Sequence, residues 1–148
     1  MRVATLVLSV LTVAAMAVDL VAQAKPSFAG EWKVAADHQG QPGVDLTIAQ
    51  SATAVTMEYR DGGSVTYKLD GSASRNMVAG RSGATPIEQV SKAMWVGSAL
   101  VVTTTTRAGN EKRTFTTDGF SLVVETSTGA GVTKTTYQRY EQNITQLH

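Results

Sequence analysis

The chain has 148 residues, with 13 lysines and arginines against 12 aspartates and glutamates, so its formal net charge is +1. That balance gives no electrostatic reason to expect nucleic acid or a strongly acidic surface as a partner. The sequence contains no cysteine, which excludes disulfides and any metal site built on thiolates. We expect no metal and no other cofactor.

The first 24 residues have the form of a secretory signal peptide. A short basic start precedes an apolar run, and Ala22-Gln23-Ala24 has the small-x-small form of a cleavage site. The apolar run is shorter than the roughly 20 residues of a spanning helix, and Asp19 interrupts it. The sequence therefore predicts a signal peptide over 1–24 and one mature domain over 25–148. It also predicts an extracytoplasmic location, periplasmic or secreted, without stable membrane insertion after cleavage.

The mature chain alternates apolar and polar residues over short runs, which is the period of a half-buried β-strand. The first such runs carry their apolar side chains at Val44, Leu46 and Ile48, at Val55, Met57 and Tyr59, and at Val65, Tyr67 and Leu69. Residues 51–53, 61–63 and 70–72 separate the runs and favour tight hairpin turns. The pattern predicts successive antiparallel hairpins.

Two segments interrupt this alternation of apolar and polar residues. Residues 38–43 form a loop rich in glycine and proline, and residues 79–88 are the longest stretch without a strand pattern. Pro86 could begin a single helical turn over 86–90. From Trp95 to Tyr140, runs rich in valine and threonine alternate with glycine-containing turns, as in further hairpins.

The predicted fold is all-β, an antiparallel up-and-down meander of about 8–10 strands closed into a barrel, because closure removes unpaired edges. A two-sheet sandwich is the alternative, but hairpin-length connections favour the up-and-down order. We expect the inner face to receive Trp32, Val34, Leu46, Ile48, Val55, Met57, Tyr59, Val65, Tyr67, Leu69, Phe115, and either Leu100 with Val102 or their neighbours. A barrel of this size either fills with side chains or holds one small ligand.

The start of the first strand, Gly30-Glu31-Trp32, resembles the Gly-x-Trp signature of lipocalins and their calycin relatives, including fatty-acid-binding proteins and avidins. In that superfamily an arginine from the last strand packs across the tryptophan, and Arg139 lies at the corresponding place. The resemblance therefore implies a barrel-closing pair of Trp32 and Arg139. An indole face attracts a guanidinium by ~0.5 to 2 kcal/mol, depending on burial.

The mature chain also resembles small exported bacterial lipocalin-like proteins. They share a Phe-x-Gly-x-Trp-Lys start, matched at 28–33, a Trp-x-Gly-x-x-Leu turn, matched at 95–100, and a Thr-Tyr-x-Arg ending, matched at 136–139. The resemblance implies a lipocalin-like barrel that binds a small hydrophobic molecule outside the cytoplasm. The expected ligand-binding residues are Met57, Tyr59, Tyr67, Trp95 and Phe115, with Trp32 beside them.

Several other side chains are candidate ligand contacts. Met94 and Met77 are flexible enough to pack around an apolar guest, although core filling is the commoner role of such residues. Arg75 and Arg81 flank the start of the long loop and could receive a carboxylate at a barrel mouth. Solvated strand ends are the commoner explanation for both arginines.

Two other functions stay open at this stage. The barrel could be packed solid and bind an unidentified protein partner through its threonine-rich faces or long loop, and an internal cavity would distinguish this alternative from a carrier. Catalysis has little support, because His38 lies in the glycine- and proline-rich loop and His148 is terminal. Asp61 and Asp70 occupy turn positions, where aspartate is favoured for its backbone hydrogen bonds.

Overall fold

A computed structural model describes residues 24–35, 45–79 and 85–140. These residues form ten β-strands, and none of them is helical. The strands are β1 (Gly30–Val34), β2 (Leu46–Gln50), β3 (Ala54–Tyr59), β4 (Ser64–Lys68), β5 (Ala73–Val78), β6 (Ile87–Val96), β7 (Ala99–Thr106), β8 (Gly109–Thr117), β9 (Ser121–Thr128) and β10 (Gly131–Arg139). Among the described residues there is no helix with the length and apolarity to cross a membrane.

The strands form one sheet in the order β4-β3-β2-β1-β10-β9-β8-β7-β6-β5, and every pairing is antiparallel. All pairs are consecutive in sequence except β1 with β10, where Trp32 lies opposite Arg139. This pairing joins the two ends of the meander, so the predicted all-β up-and-down barrel and its strand number are confirmed.

One junction of the barrel, between β4 and β5, has no backbone ladder in the part of the chain that the structure describes. Side chains of β5 replace it. The Asn76 side-chain amide accepts from the Thr66 backbone N (2.8 Å) and donates to the Thr66 carbonyl oxygen (3.0 Å), while Ser74 Oγ accepts from the Lys68 backbone N (2.8 Å). An asparagine amide carries the same donor and acceptor as a peptide group. The barrel is therefore nearly, rather than fully, closed.

The interior receives the residues that the strand alternation predicts. Those in the core are Trp32, Leu46, Ile48, Val55, Met57, Val65, Tyr67, Leu100, Val102 and Phe115, with Val34, Tyr59 and Leu69 partly buried against them. Leu100 and Val102, rather than their neighbours, face inward. Phe28, which precedes β1, is also completely buried.

The predicted helical turn over 86–90 is wrong. β6 begins at Ile87 and pairs with β5 from that residue onward, with Val78 opposite Ile87 and Arg75 opposite Val90. Pro86 immediately precedes the strand, a place where its missing N–H costs no ladder bond. Val44, the loop over 38–43 and residues 80–84 of the longer connection lie outside the described residues.

Candidate functional site: a cavity inside the barrel

The barrel holds a cavity of about 720 Å³ that is partly open to solvent, in the half near the β3–β4 turn. Its apolar surface comes from Leu46, Val65, Val78, Phe115 and Val124, and its polar surface includes Tyr59, Tyr67, Tyr137, Arg113, Thr126 and Thr135. Each of these apolar residues lies on a different strand, on the face that the alternation turns inward. A packed barrel would hold no such volume.

The opposite half of the barrel is filled, and Phe28 is the residue that fills its end. Its ring stacks on Trp95 with centroids 5.7 Å apart and planes 8° apart, and it meets Phe115 edge-on at 6.4 Å. Both arrangements are preferred by aromatic quadrupoles. The segment before β1 is therefore part of the core.

Hydrogen bonds hold this N-terminal segment in place. Gln50 accepts from the Phe28 backbone N (2.8 Å) and donates to the Pro26 carbonyl (3.1 Å), and Trp32 Nε1 donates to the Phe28 carbonyl (2.8 Å). The Lys25 ammonium donates to the Gly97 carbonyl at 3.0 Å. The backbone around the buried Phe28 needs such partners, because unpaired polar groups shielded from water lower the stability of the fold.

Trp32 and Arg139 lie together at the same end. The Arg139 guanidinium carbon is 4.4 Å from the centroid of the Trp32 ring. Arg139 also donates to the carbonyl oxygens of Ala29 (2.8 Å) and Gly119 (2.9 Å). The arginine thus joins the first strand, the last strand and the β8–β9 turn.

The inner face becomes polar toward the cavity. Arg113 Nε lies 2.7 Å from a Glu111 carboxylate oxygen, and the hydroxyl groups of Ser91 and Thr104 are hydrogen-bonded at 2.7 Å. Arg113 Nε is buried and has no hydrogen bond of good geometry to any described residue, although the Glu111 carboxylate lies within ion-pair distance of it. Burial opposes the charge on Arg113, but Tyr59 and Glu111 outweigh that effect and raise the pKa of the guanidinium.

Three tyrosines share this polar half. Burial, with a contribution from Tyr59, raises the pKa of Tyr67 to about 12, and burial likewise raises the pKa of Tyr137 to about 12. The neutral hydroxyl is thereby favoured, because the low-polarity surroundings disfavour a phenolate. The Tyr67 and Tyr137 hydroxyl groups therefore keep their protons and can act as hydrogen-bond donors across the whole neutral pH range.

The structure separates the five residues predicted to bind a ligand. Tyr59, Tyr67 and Phe115 line the cavity together. Met57 is completely buried in the core and is not part of the cavity wall, and Trp95 lies at the filled end against Phe28. A ligand role for these residues stays a prediction, and the geometry supports it for the first three.

The other candidate residues lie elsewhere. Met94 is 56% exposed on the outer face, since its neighbour Trp95 takes the inner face of the strand, and Met77 is 60% exposed at the cavity rim. Arg75 is exposed and forms an ion pair with Glu88. Arg81, His38 and His148 are outside the described residues.

The two turn aspartates have backbone roles. Asp61 accepts from the Gly63 N at 3.1 Å, and Asp70 accepts from the Ser72 N at 2.9 Å. Hydrogen bonds from Ser72 hold the pKa of Asp70 below its usual value. Within the described ranges, no group of three or more histidine, cysteine, aspartate or glutamate side chains could hold a metal ion.

Arg113 and Glu111 were not identified from the sequence, although the signal for them was present. Arg113 lies two residues and Glu111 four residues before Phe115, which was expected to face inward, and strand side chains of the same parity share a face. Counting backward along β8 from Phe115 places both charges inside the barrel.

A second depression, of about 490 Å³, lies on the outside of β1, β2 and β3. Charged side chains, including Glu31, Lys33, Glu58 and Arg60, and the exposed Tyr140 surround it. Because this depression is smaller and lies outside the barrel wall, the internal cavity is the better candidate site.

No family model matches the sequence, and no curated protein matches it. Solved structures do match the fold. The crystal structure of the wild-type fluorescent protein UnaG is 22% identical with a TM-score of 0.61, and the match covers 76% of this chain and 97% of that one. Two single-residue variants of UnaG match with 21% identity, TM-scores of 0.60 and 0.59, and coverage of 78% and 97%. The chain therefore shares the nearly closed antiparallel β-barrel fold of these structures.

Proposed function

We propose that the protein binds one small, largely hydrophobic molecule inside the barrel. The observation that carries this proposal is the internal cavity of about 720 Å³. Its volume falls within the roughly 300–1,000 Å³ typical of small-molecule pockets. The alternative, a solid barrel that serves only as a protein-interaction module, requires an interior filled by side chains, and the cavity favours the carrier instead.

The chemistry of the cavity wall supports the same conclusion. Phe115, Val124, Leu46 and Val65 offer an apolar surface, and polar side chains supply at least as much of the wall beside it. Apolar surface next to placed hydrogen-bonding groups is a combination that can bind and orient a small molecule. The shared barrel fold is compatible with this function and does not identify the ligand.

Native mass spectrometry of the protein purified from its own source tests the proposal. We expect an additional mass that is lost on denaturation. The variant Thr126→Trp, which would fill the cavity from its wall, should abolish that mass, whereas Thr116→Trp on the exposed outer face should retain it. A bare chain that stays bare after incubation with a lipid extract would contradict the proposal.

We also propose that the protein is exported and cleaved after Ala24, so that binding takes place outside the cytoplasm. The basic start, apolar run and cleavage form of residues 1–24 support this. Sequencing the N-terminus of the protein recovered from separated cell fractions tests it. A mature chain beginning at Lys25 in the periplasmic or secreted fraction is expected, and an uncleaved chain confined to the cytoplasm would contradict it.

A further inference from the structure

We infer that the ligand presents a neutral hydrogen-bonding group to Arg113, and not a carboxylate, because Glu111 already pairs with that guanidinium. The inference rests on the proposed function, since it specifies the chemistry of the molecule held in the same cavity. The preference for a neutral group depends on the position of the Glu111 carboxylate on β8, next to Arg113.

Glu111 and Arg113 lie on the inner face of β8, two residues apart, so their side chains are neighbours. Arg113 Nε is 2.7 Å from Glu111 Oε1, and that nitrogen is buried. Arg113 lines the cavity, and Glu111 lies beside Arg113 without being part of the cavity wall. Arg113 can therefore offer its terminal nitrogens to a ligand, but Glu111 already balances its positive charge.

The charge of the site points in the same direction. Among the described residues that line the cavity, Arg113 is the only cation and Asp61 is the only carboxylate. With Glu111 beside Arg113, the three groups sum to one negative charge. A ligand carboxylate would approach the Glu111 carboxylate beside the shared cation, and like charges in a partly desolvated site disfavour each other. Asp61 adds less, because it lies in an exposed turn where water screens its charge.

The remaining polar groups suit a neutral oxygen. The hydroxyl groups of Tyr59, Tyr67 and Tyr137 and those of Thr126 and Thr135 reach the cavity, together with the Gln89 amide. Hydroxyl and amide groups donate to and accept from carbonyl, hydroxyl or amide groups without any change of charge. A mostly apolar molecule with an alcohol, ketone or amide group therefore fits this wall.

A matched pair of probes tests the inference: dansyl-labelled undecanoic acid and its primary amide, titrated against the full protein at neutral pH. We expect the wild type to bind the amide about tenfold more tightly than the acid, a difference of ~1.4 kcal/mol. Glu111→Gln removes the competing carboxylate, so its preference should reverse toward the acid. Glu111→Gln/Arg113→Gln removes both charges, so it should lose that reversed preference while still binding the amide.

The outcomes separate this inference from the proposed function. Tighter binding of the acid by the wild type, or a Glu111→Gln variant with unchanged preference, would overturn the neutral-ligand inference and leave the carrier intact. No binding of either probe by the wild type would overturn both. The double variant reports on the cavity without either charge, so a folding defect of the single variant does not hide the result.

Discussion

Phe28 stacks face to face on Trp95, with ring centroids 5.7 Å apart and planes 8° apart, although 67 positions separate the two residues in the chain. Phe28 lies just before the first strand and is completely buried. Trp95 is near the end of β6, on the far side of the sheet order from β1. The contact shows that the filled end of the barrel depends on a segment that belongs to no strand.

Truncation of this ring should destabilise the whole barrel. For Phe28→Ala we expect a loss of about 3–5 kcal/mol in the free energy of unfolding, as for other fully buried phenylalanines. Loss of the stacked partner should also shift the tryptophan fluorescence to longer wavelength. Urea unfolding followed by fluorescence measures both effects.

Phe120 provides the matched control, because its side chain is 73% exposed in the β8–β9 turn. Phe120→Ala should change the free energy of unfolding by less than about 0.5 kcal/mol. Equal effects of the two substitutions would show that Phe28 does not close the barrel in solution.

Gly30 makes room for the arginine that packs on Trp32. Its φ is +136°, and a Cβ at this position would collide with Arg139 Nη1, which is held by its hydrogen bond to Ala29. Gly30→Ala should therefore cost both backbone strain and the displacement of Arg139. Gly131 has nearly the same φ, +137°, with open space around it.

The difference in stability between the two alanine variants measures the contribution of the Arg139 interactions. Gly131→Ala should cost roughly 1–2 kcal/mol from strain alone. Gly30→Ala should cost at least ~1 kcal/mol more, because the Arg139 interactions are disturbed as well. Equal midpoints of urea unfolding for both variants would indicate that Arg139 moves without penalty.

The period-two pattern was sufficient to predict which strand residues fill the apolar half of the barrel, because their burial follows strand parity. It did not predict the burial of Phe28, which lies before the first strand. The same pattern excludes an inward position for both Met94 and Trp95, because adjacent residues of a strand point to opposite faces of the sheet. In the polar half, Tyr59 and Tyr67 were predicted to face inward, but the charged pair Glu111 and Arg113 was not, although Arg113 shares its parity with Phe115.

The β4–β5 junction could not be predicted from the sequence. Residues 70–72 have the composition of an ordinary hairpin turn, and the two strands do follow one another closely. Whether they form a ladder depends on the separation of the backbones, which the rest of the barrel determines. The side chains of Asn76 and Ser74 match this separation only in the folded structure.

That junction should be sensitive to a single side chain. Asn76→Ala removes two hydrogen bonds to Thr66 and should cost about 1–2 kcal/mol. The Thr66 amide should also exchange its hydrogen faster, since its acceptor is lost. Hydrogen exchange with Asn110→Ala as the control, an exposed asparagine on the outer face, measures the effect. Unchanged exchange at Thr66 would mean that backbone pairing closes the junction in solution.

Alkaline pH should unfold the protein through its buried tyrosines. The pKa values of Tyr67 and Tyr137 are raised from the ordinary 10.0 to about 12, so between these values the folded state holds protons that the unfolded state releases. The free energy of unfolding therefore falls as pH rises from about 10 to about 12, by up to roughly 2–3 kcal/mol for each residue.

Urea unfolding across this pH range, with tyrosinate absorbance of the folded protein recorded in parallel, checks the prediction. Tyr67→Phe should remove about half of the pH-dependent loss, since phenylalanine has no proton to release, and Tyr67→Phe/Tyr137→Phe should remove most of it. Both tyrosines are almost completely buried, at 4% and 7% exposure, so solvent screening reduces the effect little. If the stability of the wild type were constant up to pH 12, the two phenols would have to ionise as readily in the barrel as in the unfolded chain. Water would then have to reach both hydroxyl groups in the folded protein.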